Sequence, residues 1–403
     1  MEYIVFIILS LFVIVGLLTS RSWLAPEVLS PLSWLSILII YYTFDHGMLS
    51  LSDDVLSVIL IWNCSLLIGM YISKSVNASV KDFAGMTSFS PKLRDLYFKI
   101  SIIGFLPTLY IIYQQVSALE GDFFYRLRAA NVGIAESKIS LGIFAYVLTF
   151  AFVSYMIELI SYQRGQQKLK LYIILLINIA FAVSTMSKSS FLFLIVSSLF
   201  VLSAKVRLPI KKVLTYVLLT FFFMFGVQKL RDGSESKSST ATTLYLYMLA
   251  GVPALDKIVQ SDMTSRSSGQ NTMAFINNVR SKLVGADKEK KGYVGDVTYE
   301  GYIAVPSPYL TNVYTVIGPI WLDFRYTGLI ICSLIVGWFS RYYYKLSIKG
   351  YQWASILYAY FACVLILQFF GEYIFTNLSY LIQLIVLSYL PYRFRNLKIK
   401  WSI

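Results

Sequence analysis

Positive side chains beside rings and hydroxyls are the groups in this chain best suited to chemistry. Phe123-Phe-Tyr-Arg-Leu-Arg-Ala129 puts Arg126 and Arg128 among aromatics. Rings stack on sugar faces and a planar guanidinium fork binds phosphate oxygens in pairs, so this composition suits a sugar phosphate. An aromatic-basic anchor for lipid headgroups uses the same residues. Lys188 stands among the hydroxyls of Ser184, Thr185, Ser187, Ser189 and Ser190. There it either meets an anion or snorkels from a helix end. Lys229 and Arg231 lie in Gln228-Lys-Leu-Arg-Asp232, while Arg266 belongs to the polar stretch Thr264–Thr272 and Arg280 follows it. Asp323 and Arg325 lie in Trp321-Leu-Asp-Phe-Arg. The carboxylate orients a hydroxyl or a guanidinium, or the two pair with each other.

These residues must be held by apolar helices. Of the 403 residues 57% are hydrophobic and 14% charged, with a mean hydropathy of +0.66. Soluble domains carry about 25% charge. Apolar runs near the ~20 residues that cross a hydrocarbon core recur along the chain, and in lipid such runs must be helical. The expectation is an all-α, polytopic membrane protein of about eleven spans (10–12): 2–19, 28–44, 55–73, 97–118, 139–161, 171–186, 189–204, 211–228, 318–340, 353–371 and 374–390. Residues 1–228 then form the N-terminal bundle, 229–317 one large external loop, and 318–403 the C-terminal spans and tail. Leu244–Pro253 is too short to cross and reads as an interfacial or packing helix ending near Pro253. The first run, Met1–Thr19, lacks a basic start and a cleavage site and reads as a retained helix.

Alternate loops hold nineteen Lys/Arg against Glu27, Asp82 and Asp95, a net of +16 where the whole chain has +14. The basic side is expected to be cytoplasmic, with the N-terminus and the 229–317 loop outside and the C-terminus inside. Lipid contact and orientation account for the charge without nucleic acid. Cys64, Cys332 and Cys363 lie in apolar spans, and one histidine, His46, argues against a metal site; neither a metal nor another cofactor is expected. Asp45, His46, Asp53 and Asp54 form an acidic first outer loop, and Glu158 reads as a polar helix contact.

Asn312-Val-Tyr…Gly318-Pro…Leu322-Asp-Phe…Gly328, with the segment Ala250–Asp256, resembles the corresponding stretches of the O-antigen polymerases, the Wzy-type oligosaccharide repeat-unit polymerases. Arg325 stands where that family usually has glycine. The resemblance extends to the layout and implies a fold like that of GT-C-like membrane glycosyltransferases in a bacterial inner membrane. It implies transfer of a growing glycan from undecaprenyl pyrophosphate to a new lipid-linked repeat unit. Arg126, Arg128, Arg231 and Arg280, with Lys229, Lys188 and Arg266, would then face pyrophosphate, and Asp323 would orient or accept. Implied partners are undecaprenyl-pyrophosphate-linked oligosaccharides, membrane lipids and a chain-length regulator. An O-antigen ligase shares the layout and donor, and a lipid-linked oligosaccharide flippase is the non-enzyme alternative.

Overall fold

The computed structural model describes residues 1–75, 89–120, 123–132, 139–162, 168–186, 188–205, 215, 226, 245–285, 292–298, 302–306 and 309–394. They form an all-α membrane protein. Its helices are α1 (Glu2–Ser20), α2 (Pro26–Thr43), α3 (Asp53–Ser75), α4 (Pro91–Ser117), α5 (Phe123–Val132), α6 (Ala145–Ser161), α7 (Leu169–Ser184), α8 (Lys188–Lys205), α9 (Gly251–Gln260), α10 (Ala274–Val284), α11 (Ile317–Ile348), α12 (Gln352–Ile366) and α13 (Leu378–Arg393). Four two-residue strands pair antiparallel: β1 (Thr264–Ser265) with β2 (Tyr293–Val294), and β3 (Ile303–Ala304) with β4 (Leu310–Thr311). Among the described residues five helical segments are long and apolar enough to cross a membrane: Glu2–Ser20, Asp53–Ser73, Pro91–Ser117, Gly142–Ser161 and Ile317–Ile348. The expected span 211–228 lies outside the described residues, 215 and 226 aside.

Helix starts follow local chemistry. Pro26 and Pro91 occupy first turns, where a missing N–H costs nothing, and the Ser90 hydroxyl accepts from Leu93 N. Residues 245–248 form the short helix expected ahead of Pro253; the chain turns at 249–250, and Pro253 sits in the first turn of α9, where its missing N–H costs nothing. Two expectations need correction. The 119–138 segment is not merely a loop, since it contains α5, whose Leu127 and Ala130 bury against Ile112, Val116 and Met186. The helix expected over 353–371 stops at Ile366, since Gln368 is drawn into a polar cluster described below.

The chain divides into two compact units, the first Met1–Val80, Ser238–Lys345 and Val364–Leu381, the second Lys81–Lys237, Leu346–Cys363 and Ile382–Ile403. In the first, α3 and α11 touch backbone to backbone. A Cβ on Gly69 would stand 2.2 Å from the Leu334 carbonyl oxygen, and one on Gly337 would stand 2.0 Å from that of Leu66. Small residues permit such approaches between membrane helices. The unit also sorts its ends. The Met1 ammonium lies 3.6 Å from Asp53, and Ser52 bonds Asp256, so the N-terminus meets the 245–317 segment. At the other end Arg341 pairs with Glu27, and Lys345 Nζ donates to the Ser73 carbonyl at 2.9 Å.

At the heart of this unit, Gln368 is buried among helices. Its Oε1 accepts from the indoles of Trp62 at 2.7 Å and Trp34 at 3.2 Å. Its Nε2 donates to Ser30 Oγ at 2.9 Å and to the Leu365 carbonyl at 2.7 Å, and its own carbonyl accepts from Val316 N at 2.7 Å. Non-helical backbone at this depth is tolerated because protein supplies its partners.

In the second unit the Arg94 guanidinium grips Glu158, with Nε 2.6 Å from Oε1, so Glu158 is the helix contact its position implied. The Tyr155 and Ser198 hydroxyls join α6 to α8 at 2.9 Å.

Candidate functional site

The first unit builds a polar site at the start of α11. Thr315, at φ 62°, offers its hydroxyl to Ile317 N at 3.2 Å, and Pro319 occupies the first turn, so the helix begins here. Two turns on, Asp323 is half-buried and its oxygens are fully engaged. Oδ1 accepts from Ser265 Oγ at 2.7 Å and Asn271 Nδ2 at 2.9 Å. Oδ2 accepts from Thr272 N at 2.8 Å, Thr272 Oγ1 at 2.7 Å and Asn271 N at 3.1 Å. A carboxylate has about four acceptor sites, and here they are filled. The carboxylate therefore serves as a cross-link between the 261–272 segment and the helix.

Arg325, two residues on, completes the join. Its Nη2 donates to the Met263 carbonyl at 3.0 Å and the Ser261 carbonyl at 3.4 Å, and its guanidinium lies 5.3 Å from the Trp321 ring centre. Asp323 and Arg325 thus bind the same loop and not each other. Arg325 has φ 51° and ψ −140°, which kinks α11 in a region that only glycine enters freely.

Around this join, Arg266 follows Ser265 directly and its amide donates to the Gly292 carbonyl at 2.9 Å, which seats it beside the β1–β2 pair. Tyr293 donates to Asn271 Oδ1 at 3.2 Å, and burial raises its phenol above the ordinary value. Arg266 and Arg280 are exposed, and neither makes an ion pair among the described residues. The unit therefore brings Asp323, Arg325 and Arg266 together around one loop, with Arg280 on the helix that leaves it.

A second carboxylate lies at the same end of the unit. Asp256 of α9 is 5% exposed and accepts from Ser52 N at 2.9 Å and from the Ser52 hydroxyl. Burial, with Asp54 nearby, raises its pKa above the usual carboxylate range against the opposing pull of those bonds. Glu372 caps the turn before α13 by accepting from the amides of Ile374 at 2.8 Å and Thr376 at 2.7 Å.

In the second unit, Arg126 Nη1 donates to the Leu119 carbonyl at 2.9 Å and the Ser117 carbonyl at 3.4 Å. Part of its charge therefore closes the end of α4, while its Nε is buried with no partner among the described residues. Arg128 lies on the same short helix and is half-buried. Leu127 packs with Met186, so α5 and the turn leading to Lys188 belong to one cluster. Lys188 opens α8. Lys229 and Arg231 lie outside the described residues.

Sequence reasoning noted the polar stretch Thr264–Thr272 without linking Ser265, Asn271 and Thr272 to Asp323. The pairing spans 51 to 58 residues, and no local pattern encodes it. Ser52–Asp256 and the Gln368 cluster were missed for the same reason. A lone amide inside an apolar run was the available signal for the latter.

No family model, curated protein or solved structure matches this chain.

Proposed function

We propose that the protein is a membrane glycosyltransferase that polymerises lipid-linked oligosaccharide repeat units, in the manner of the O-antigen polymerases it resembles. The observation that carries this reading is the join of Asp323 to Ser265, Asn271 and Thr272. It fixes a polar loop and its exposed Arg266 on the end of a membrane-length helix, at the part of the chain where the motif resemblance lies. In this reading the chain has about eleven spans, a GT-C-like arrangement and a cytoplasmic C-terminus in a bacterial inner membrane. The 229–317 segment faces the periplasm.

The reaction breaks the bond between the anomeric carbon of the donor glycan and its pyrophosphate oxygen. An acceptor hydroxyl of a new repeat unit forms the glycosidic bond and loses its proton. Undecaprenyl pyrophosphate departs with the bonding pair, so stabilising its growing charge is the main task. Arg126, Arg128, Arg231 and Arg280, with Lys188, Lys229 and Arg266, supply the positive charge. Asp323, its oxygens filled by loop donors, orients that loop and leaves proton transfer to another group.

A deletion strain's lipopolysaccharide tests this on a gel. Collapse of the ladder to core plus one repeat supports polymerase. Unattached lipid-linked polymer means ligase, repeat units trapped on the cytoplasmic face mean flippase, and an unchanged ladder refutes the reading. Complementation with alanine at Arg126, Arg128, Arg231 and Arg280 together should fail to restore the ladder. Full restoration would remove the arginines from the mechanism.

A further inference from the structure

Helix α10 wears its apolar side outward. On a 100° wheel Phe275, Ile276, Val279 and Leu283 share one arc, with Lys282 and Arg280 at its two edges. Ile276 is 49% exposed, Val279 41% and Leu283 82%, and no residue of the helix is buried. The opposite side, Ala274, Asn277 and Ser281, is half-buried, and Asn277 Nδ2 reaches the Gly269 carbonyl at 3.4 Å. A helix of a water-facing domain turns the other way and hides its apolar arc.

The surroundings say what covers that arc. The chain enters α10 from Asn271 and Thr272, both bonded to Asp323, so the start of α10 is tied to one level of α11. Arg341 and Lys345 mark one membrane face near the far end of α11. Counting back about 20 residues at ~1.5 Å each, the thickness of a hydrocarbon core, reaches residues 321–325, the turn that carries Asp323. The exposed Ile330, Ile331 and Ile335 of α11 begin two turns below it. The tether therefore holds α10 at the depth where acyl chains give way to headgroups. An apolar arc edged by one lysine and one arginine matches that boundary, with stems in the chains and charges among lipid phosphates.

We infer that α10 is an interfacial helix, docked by Phe275, Ile276, Val279 and Leu283 into the bilayer leaflet opposite the Arg341 face, with Asp323 setting its depth. This does not depend on the reaction the protein catalyses.

The test uses the full chain in nanodiscs of phosphatidylethanolamine and phosphatidylglycerol. Leu283→Cys and, separately, Asn278→Cys are labelled with an environment-sensitive fluorophore, and labelled parent protein subtracts the natural cysteines. The expected result is blue-shifted emission at position 283, quenched by lipids bearing a nitroxide near the headgroup and shielded from iodide. Position 278 should show the reverse, with iodide quenching severalfold stronger than at 283. Equal iodide quenching at both positions would mean a solvated helix and overturn the proposal. Shielding of 283 from both quenchers would mean that protein, such as a second copy, covers the arc, and would overturn it equally. Ile276→Cys serves as the second probe of the arc should Leu283→Cys fail to fold.

Discussion

Thr272 gives both its amide N–H and its hydroxyl to a single oxygen of Asp323, at 2.8 and 2.7 Å. Two donors from one residue on one charged atom fix a loop more firmly than either could alone. Bonds to charged groups contribute about 1.5–3 kcal/mol each. Asp323→Ala should therefore lower the thermal midpoint and open the 261–272 segment to protease, and Thr272→Val should do so more weakly. In a double-mutant cycle the two losses should be strongly non-additive. Simple additivity would mean that the contact carries no energy.

Arg325 sets a backbone cost against side-chain contacts. Its conformation at φ 51°, ψ −140° costs a non-glycine residue about 1–3 kcal/mol. Arg325→Gly removes that strain with the contacts, whereas Arg325→Ala keeps the strain and loses the contacts to Ser261, Met263 and Trp321. Glycine should accordingly be more stable than alanine at this position by a measurable margin in thermal unfolding. Equal midpoints would show that the kink is unstrained.

Replacing Gln368 by leucine leaves the Trp34 and Trp62 indole N–H groups without their acceptor in a buried site. Each orphaned donor costs about 1–3 kcal/mol. The variant should lose several degrees of thermal midpoint or fail to accumulate, while Trp62→Phe on the leucine background should recover part of the loss. Wild-type stability for Gln368→Leu would place the energy elsewhere.

Arg341 Nη1 donates to Glu27 Oε2 at 2.8 Å, with side chains 8% and 1% exposed. Breaking a buried pair from one side costs about 3–5 kcal/mol, while replacing both partners with apolar residues is often near neutral. Glu27→Gln should thus be far more harmful than Glu27→Leu combined with Arg341→Met. A double variant as damaged as the single would contradict this.

Asp256 makes stability depend on pH. Burial raises its folded pKa above the unfolded one, so the folded chain holds this proton more tightly. Its contribution is greatest below the ordinary carboxylate value and falls as pH rises through the folded value. Asp256→Asn should flatten the midpoint-versus-pH curve in that window relative to wild type. An unchanged slope would mean that other groups set it.

The helical class was legible because apolar length is a one-dimensional signal: Glu2–Ser20 and Asp53–Ser73 fall within a residue or two of the expected spans at most boundaries. Asp323 was legible as a residue of interest because it is a charge within the first turns of a membrane helix. Its partners were not, since Ser265 and Thr272 are ordinary loop residues until the chain folds back across more than fifty positions. Gln368 shows the complementary failure. Its surroundings averaged out as apolar, so a helix was expected through Gly371, whereas two indoles and a serine hold the backbone in another course.

The contact of Gly69 with Leu334 and of Gly337 with Leu66 couples two positions 268 residues apart in the sequence. Neither can gain a methyl group unless the helices part along their whole crossing, so drift at one site is vetoed by the other. Any descendant of this gene that keeps the crossing must keep both residues minimal together. That joint restriction is a fingerprint by which distant kin could be traced after every loop has diverged.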